Sequence, residues 1–103
     1  MFRKKDLYNY TNRIYRFLEK HGDAIIFIKI QGPQTGFYDR AGDEFSIEID
    51  YRKEIIPTLI HELLHRWYPE WCETKVRKVE TQIVNQLSER QCKNILKKLA
   101  NAL

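Results

Sequence analysis

The feature that most constrains this chain is a pair of histidines, His61 and His65, in its most apolar and most helix-like stretch. Residues four apart lie on the same face of an α-helix, so the two imidazoles can point at one place. Glu62 follows His61 directly and completes the pattern HExxH. Two imidazoles with an adjacent carboxylate are the core of a site in which zinc activates water. The pattern therefore predicts a helix that carries two zinc (Zn2+) ligands, His61 and His65, and a catalytic base, Glu62.

The residues around the motif support this interpretation. The predicted helix buries one stripe of apolar side chains, made of Ile56, Ile60, Leu63 and Trp67. His61 and His65 lie off that stripe, where a ligand pair that faces a cleft is expected. Pro57 suits the first turn of a helix, since its missing N–H costs nothing there, and Pro69 ends the helix.

A catalytic zinc site usually has three protein ligands, so a third ligand must lie outside the motif. No histidine follows His65, and the downstream carboxylates considered are Glu70, Glu73 and Glu80. Glu80 lies within an apolar stripe, where a lone carboxylate is costly unless a positive group meets it. Glu73 lies near a helix start, where the helix dipole alone favours an acid. The two are roughly 10 Å apart along a helix, so they are alternatives. We predict Glu80 as the ligand and keep Glu73 as the alternative.

Hydrophobic periodicity along the rest of the chain predicts an α+β domain with one small sheet. An amphipathic helix is predicted over 4–20, a strand buried on both faces over 24–30, and a hairpin from 36–39 and 44–50. Two more helices should follow the motif helix, the first beginning between 70 and 75 and the second covering 89–99. Their expected inward-facing side chains are Val76, Val79, Ile83, Val84, Leu87, Cys92, Ile95, Leu96 and Leu99.

Composition sets only broad limits on partners and location. The net charge is +4 over 103 residues, and the lysines are scattered, so a nucleic-acid partner is not required. Cys72 and Cys92 form no CxxC pair and are expected to be free, buried thiols of a cytoplasmic protein. The basic start of the chain is not followed by an apolar signal region, and the longest apolar run is too short for a membrane span.

The HExxH helix, followed by a second helix that donates a glutamate, resembles the gluzincin arrangement of zinc metallopeptidases. The short length and the order of elements look like the minigluzincins, the minimal members of that group. The resemblance implies a single zincin-like metallopeptidase domain over residues 1–103, with an upper part of about 1–66 and a lower part of about 67–103. It also implies His61, His65 and Glu80 as zinc ligands, Glu62 as general base, and an edge strand at 36–39 above the cleft.

On this basis the expected function is zinc-dependent hydrolysis of a peptide or protein bound in an extended conformation. The resemblance further implies a latent form, with the C-terminal segment 97–103 or a neighbouring copy of the chain as blocker. The alternative is a non-catalytic binding module on the same scaffold, associated with nucleic acid through Lys93, Lys97 and Lys98. Glu62 favours the enzyme, because a purely structural zinc site needs no base beside its ligands.

Overall fold

The computed structural model describes residues 3–102, apart from the side chain of Lys4, and has the α+β architecture that the sequence predicts. Four helices accompany a three-stranded mixed sheet. The elements in chain order are α1 (Lys4–His21), a short 3₁₀ turn (Gly22–Ala24), β1 (Ile25–Ile28), β2 (Gly36–Ala41), β3 (Glu44–Asp50), α2 (Ile55–Trp67), α3 (Glu73–Gln86) and α4 (Glu89–Ala102).

The sheet has the strand order β1-β3-β2, which leaves β2 at an edge. β2 and β3 form the predicted antiparallel hairpin, with Tyr38 opposite Ile47, whereas β1 runs parallel to β3. Ile47 and Ile49 of β3 are completely buried, but Ile26 and Phe37, which flank Glu48 on the opposite face, are exposed. The sheet therefore buries one face only. The prediction that β1 is buried on both faces was wrong, because the sheet face that carries Ile26 and Phe37 is exposed.

The helices form the core with the buried face of the sheet. α2 packs against β2, β3 and α3, and α1 packs against α4. Leu59, Ile60, Leu63 and Leu64 of α2 are at most 1% exposed. Burial of each such side chain contributes about 1.5–3 kcal/mol. This packing fixes α2, the helix that carries the HExxH motif, more firmly than its helix propensity alone would.

Two residues expected to face inward do not. Leu96 is 44% exposed, because α4 packs through Ile95 and Leu99 instead. Cys72 is exposed rather than buried, since it lies at the N-cap of α3, outside the apolar stripe of that helix. Cys92 is partly buried, and both cysteines are free.

The C-terminal segment packs within the fold. Asn101 and Ala102 border a depression beside Leu18 and Gly22, and they do not line the cleft at the HExxH motif. Leu99 belongs to the core. Up to Ala102, the segment is thus the last part of α4 and not a plug for the motif; Leu103 lies outside the described residues. Blocking by a neighbouring copy stays a prediction.

Among residues 3–102, no helix is long and apolar enough to cross a membrane.

Candidate metal centre

The central turns of α2 hold the two histidines side by side. Nε2 of His61 lies 3.1 Å from Nε2 of His65, and the two rings meet edge to face. Both side chains are partly buried, with 19% and 28% exposure. The helical spacing of four residues therefore brings two imidazole nitrogens to one point at the protein surface.

Glu73 completes this cluster from the first turn of α3. Its carboxylate oxygens lie 2.7 Å from Nε2 of His61 and 3.0 Å from Nε2 of His65. One ligand atom from each of the three residues lies within 4.8 Å of the others, so His61, His65 and Glu73 could hold a metal ion. Tyr68 and Trp71 turn the chain between α2 and α3, because the backbone N–H of Trp71 donates to the carbonyl of Tyr68. That turn sets the start of α3 beside the end of α2.

Glu80 contacts the same cluster from another direction. Its carboxylate lies 2.7 Å from Nδ1 of His61. Nδ1 and Nε2 point away from each other on an imidazole ring, so Glu80 lies behind His61, and Glu73 lies in front of it. The structure thus brings His61, His65, Glu73 and Glu80 together, and Glu73, the alternative predicted from the sequence, is the glutamate that faces Nε2 of both histidines. Glu80 instead has the ring of His61 as the hydrogen-bond partner of its carboxylate.

The protonation of His61 follows from these two carboxylates. The hydrogen bond to Glu80 is the largest cause that raises the pKa of His61, and the charge of Glu73 adds to it, while burial opposes both. When Nδ1 donates to Glu80, a neutral ring has only a lone pair left at Nε2. That lone pair faces a carboxylate oxygen of Glu73. Either a second proton or a metal cation must lie between them, so the donor set fits a cation.

The ligand atoms lie slightly closer together than they would around a bound zinc ion. Ligand distances of about 2.0–2.2 Å in a tetrahedron place neighbouring ligand atoms roughly 3.3–3.6 Å apart. The separations here are 2.7 to 3.1 Å. Small side-chain rotations would make room for the ion. Partial burial acts to raise the pKa of Glu73, but His61, His65 and Arg77 lower it, so Glu73 is held in the ionised form that a metal ligand needs.

Glu62 lies beside the cluster without belonging to it. The residue is 6% exposed, and its Oε2 atom is buried with no hydrogen-bond partner. Loss of hydration raises the pKa of Glu62 to about 7; His61 opposes this rise, while Glu73, Glu80 and Asp39 reinforce it. A buried, unpartnered carboxylate is unfavourable in a protein interior, and such groups concentrate at functional sites.

Strand β2 passes directly over Glu62 because of one glycine. A Cβ atom at Gly36 would lie 2.5 Å from Cγ2 of Thr58, 2.7 Å from the carbonyl of Glu48 and 3.6 Å from Cγ of Glu62. Only a residue without a side chain therefore fits between β3 and α2 here. Gly36 brings the edge strand close to the HExxH helix, as the resemblance to minigluzincins implies.

The space between β2, α2 and α3 is an open cleft of about 670 Å³. Its lining contains Glu54, Pro57 and Thr58 of the α2 region and Arg77 and Thr81 of α3, besides the residues of the cluster. A smaller depression continues past His65 towards Tyr38 and Pro69. The two together form a groove that follows β2 and crosses the cluster.

A buried aspartate secures the loop at the rim of this cleft, which the sequence did not reveal. Asp50 is completely buried; its Oδ2 atom accepts hydrogen bonds from the backbone N–H of Ile30 and from Arg52. These bonds hold the pKa of Asp50 well below its usual range. Lys53 donates to the carbonyls of Gly32 and Gln34. The alternation of β3 predicts Asp50 on the solvent side of the sheet. The cations that follow it, Arg52 and Lys53, are the sequence feature from which a buried ion pair of Asp50 could have been predicted.

Tyr38, Tyr51 and Tyr68 are of a residue type that could steady an oxyanion, but their hydroxyls are engaged elsewhere or their side chains are exposed. The hydroxyl of Tyr38 accepts from Arg66, and the hydroxyl of Tyr68 accepts from Arg13. Tyr51 is 48% exposed and does not line the cleft. Only Tyr38 borders the groove.

Comparisons of this chain with models of protein families, with curated proteins and with solved structures find no match. The case for a function thus depends on the geometry of the centre itself.

Proposed function

We propose that this chain is a zinc metallopeptidase of the gluzincin type, with His61, His65 and Glu73 as the zinc ligands. The observation that carries the proposal is the cluster of two Nε2 atoms and one carboxylate, with the buried Oε2 atom of Glu62 unpartnered beside it. A purely structural zinc site has four protein ligands and no reason to keep such a carboxylate. Three ligands and a free carboxylate match a catalytic site that leaves one position for water.

The ligand set favours zinc among common metals. Two imidazoles and one carboxylate are typical of catalytic zinc, whereas magnesium and calcium prefer oxygen ligands only. Zinc, when bound, supplies a Lewis acid that lowers the pKa of a water molecule and polarises a carbonyl. Glu80 fixes the tautomer and orientation of His61 through Nδ1, the role that a carboxylate behind a ligating histidine commonly has.

Glu62 acts as the proton carrier of the reaction. Its carboxylate takes a proton from the attacking water and later delivers it to the leaving amine. Its burial beneath β2 keeps bulk water from competing for that proton. A positioned base of this kind contributes roughly 10²–10⁴-fold to the rate.

An extended peptide fits the groove as a further strand on β2. β2 is an edge strand, so its outer backbone groups are free to pair with a substrate. The groove lies along that edge and crosses the zinc cluster, so such a peptide would present its scissile carbonyl to Glu62. Because the cleft is open and shallow, the substrate must be a flexible or unfolded segment.

Hydrolysis of fluorescently labelled, unfolded casein by the full chain tests the proposal. Turnover should appear with equimolar zinc, disappear with a chelator and return when zinc is restored. Magnesium should not replace zinc. Zinc binding without any hydrolysis, measured on folded protein across a panel of unfolded substrates, would contradict the peptidase assignment.

A further inference from the structure

A second concave surface, unrelated to the metal centre, lies between α1 and the end of α2. We call it the basic groove; it has a volume of about 280 Å³ and is lined by Arg13, Arg16, Phe17, Lys20, His21, Arg66 and Trp67. Four of these seven residues carry a permanent positive charge, and none is acidic. The groove shares no lining residue with the cleft at the HExxH motif. Four of the 18 lysines and arginines of the chain therefore meet in this one concave surface.

The charges of the basic groove are not neutralised within the protein. Among the side chains that the structure describes, neither Arg13, Arg16, Lys20 nor Arg66 forms an ion pair. By contrast, nearby Glu19 is paired with Lys98 of α4, at 2.6 Å. Four unpaired cations in one concave surface repel each other, so a bound anion would lower the electrostatic free energy of this surface.

Two of the arginines are held in place by neutral groups. Arg13 donates to the hydroxyl of Tyr68 and lies 4.2 Å from the ring centroid of Trp67. Arg66 lies 3.6 Å from the ring centroid of Phe45 and donates to the hydroxyl of Tyr38. Aromatic rings and hydroxyls orient a guanidinium without removing its charge. The arginines are thus preorganised for an anion.

Partly exposed aromatic rings continue the basic groove towards α3. Tyr68, which Arg13 contacts, stacks on Trp71 with ring centroids 3.9 Å apart, and Lys75 lies 4.4 Å from the centroid of Trp71. Trp67, Tyr68 and Trp71 are all partly buried rather than fully covered. Trp67 is therefore the partly exposed ring that lines the basic groove, while Tyr68, Trp71 and Lys75 lie beyond its lining.

We propose that the basic groove binds single-stranded nucleic acid. Its four cations would follow the phosphates of the backbone, and Trp67 is the ring of the groove that an unpaired base could reach. Arg13 and Lys20 are seven residues apart on α1, or roughly 10 Å, which is enough to contact more than one phosphate. An acidic peptide would pair with the cations but would make no use of Trp67.

Fluorescence anisotropy with a labelled oligothymidine and the full chain tests this proposal. With four phosphate contacts, the logarithm of the binding constant should fall with the logarithm of salt at a slope of about −2.8. The double variant Arg16→Gln/Lys20→Gln should bind roughly tenfold more weakly and reduce the slope by about 1.4. Both side chains are exposed, and neither forms a hydrogen bond or ion pair among the described residues, so the variant should fold.

Lys93→Gln/Lys97→Gln is the matched control, since it removes the same charge from the exposed face of α4. Beyond the effect of losing two positive charges from the whole protein, this control should change the affinity by less than about twofold. Equal weakening by both double variants, binding that is independent of salt, or binding that disappears with a zinc chelator would each overturn the proposal. Tighter binding to duplex DNA or to polyglutamate than to the single strand would overturn the assigned partner.

Discussion

At the scale of single residues, the centre depends on carboxylates that occupy different environments. Glu62 is buried with a free oxygen, Glu73 is half exposed and faces two imidazoles, and Glu80 faces only Nδ1 of His61. Environment, and not residue type, thus gives each glutamate its own chemistry. Burial raises the pKa of Glu62, while the histidines lower that of Glu73.

The raised pKa of Glu62 predicts how stability depends on pH in the metal-free chain. The folded pKa is about 7 against an ordinary value of 4.5, so between these values the unfolded chain loses the proton first and stability falls as pH rises. Glu62→Gln lacks this effect. From pH 4.5 to 7 the variant should gain about 1–2 kcal/mol relative to the natural chain, allowing for solvent screening. Urea unfolding in the presence of chelator measures it; a constant difference across that range would contradict the pKa shift.

Zinc affinity separates the roles of Glu73 and Glu80. Glu73→Gln removes a ligand and should weaken zinc binding by more than about 100-fold, whereas Glu80→Gln removes an orienting partner and should cost about 10–100-fold. Glu70→Gln, in the same connection, should have no effect. Competition with a chromophoric chelator measures all three. A larger loss for Glu80→Gln than for Glu73→Gln would restore Glu80 as the ligand.

The sequence named all five residues of the centre, but it ranked Glu80 above Glu73 as the third ligand, whereas Glu73 is the one that faces both Nε2 atoms. The helical spacing of His61 and His65 predicts their convergence directly, because it depends on one element. The position of Glu73 depends on where α3 begins and how the turn at Tyr68 and Trp71 directs it. That geometry is set by tertiary packing. The place of Glu80 in an apolar stripe predicted a partner for its carboxylate, and that partner is the imidazole of His61.

At the scale of elements, the approach of β2 to α2 forms the cleft. Gly36 permits this contact, and the bonds of Asp50 and Lys53 secure the loop that leads into β2. Under the proposed function, a substrate strand would pair with β2 beside Glu62, so the position of β2 would control access as well as fold. Residues far in sequence from His61 and His65 therefore shape the cleft.

Gly36→Ala should displace β2. The new methyl group would overlap Thr58 and the carbonyl of Glu48, so we expect a loss of about 1–3 kcal/mol in the free energy of unfolding. Thr58→Ser removes Cγ2 but keeps the hydroxyl that bonds Glu54. Added to Gly36→Ala, it should recover part of the loss. Thermal unfolding of both single variants and the double variant checks this, and full stability of Gly36→Ala would refute the close contact.

Element type was predictable where one periodicity dominates. β3 alternates cleanly and was predicted with the observed bounds, and α2 and α4 begin near their predicted starts. The predicted bounds of β1 were too wide, and its exposed face was missed, since an apolar run alone does not show that one face of the sheet is left uncovered. Leu96 was misassigned because α4 has apolar residues on more than one face.

At the scale of the whole molecule, α4 closes the core against α1. Leu99 is 4% exposed, and Ala102 lies against Gly22. Leu99→Ala should therefore cost about 2–5 kcal/mol. Leu96→Ala, on the exposed face of the same helix, should change stability by less than about 0.5 kcal/mol. Chemical denaturation measures both. Similar losses for the two variants would contradict the packing of α4.

Because α4 packs into the core through Leu99, truncation of the chain after Lys98 should destabilise the fold. Removal of the residues after Lys98 would delete Leu99 from the core, so loss of fold and activity is expected instead of release from latency. A rise in activity on dilution of the intact chain remains the test for blocking by a neighbouring copy.

The most direct test of the central claim is the rate of peptide hydrolysis per bound zinc ion in the natural chain and in Glu62→Gln. Both proteins should bind one zinc ion and unfold cooperatively, because Glu62 is not a ligand. The variant should hydrolyse unfolded casein roughly 10²–10⁴-fold more slowly. An equal rate at equal zinc occupancy would show that Glu62 is not the base and that the proposed mechanism is incorrect.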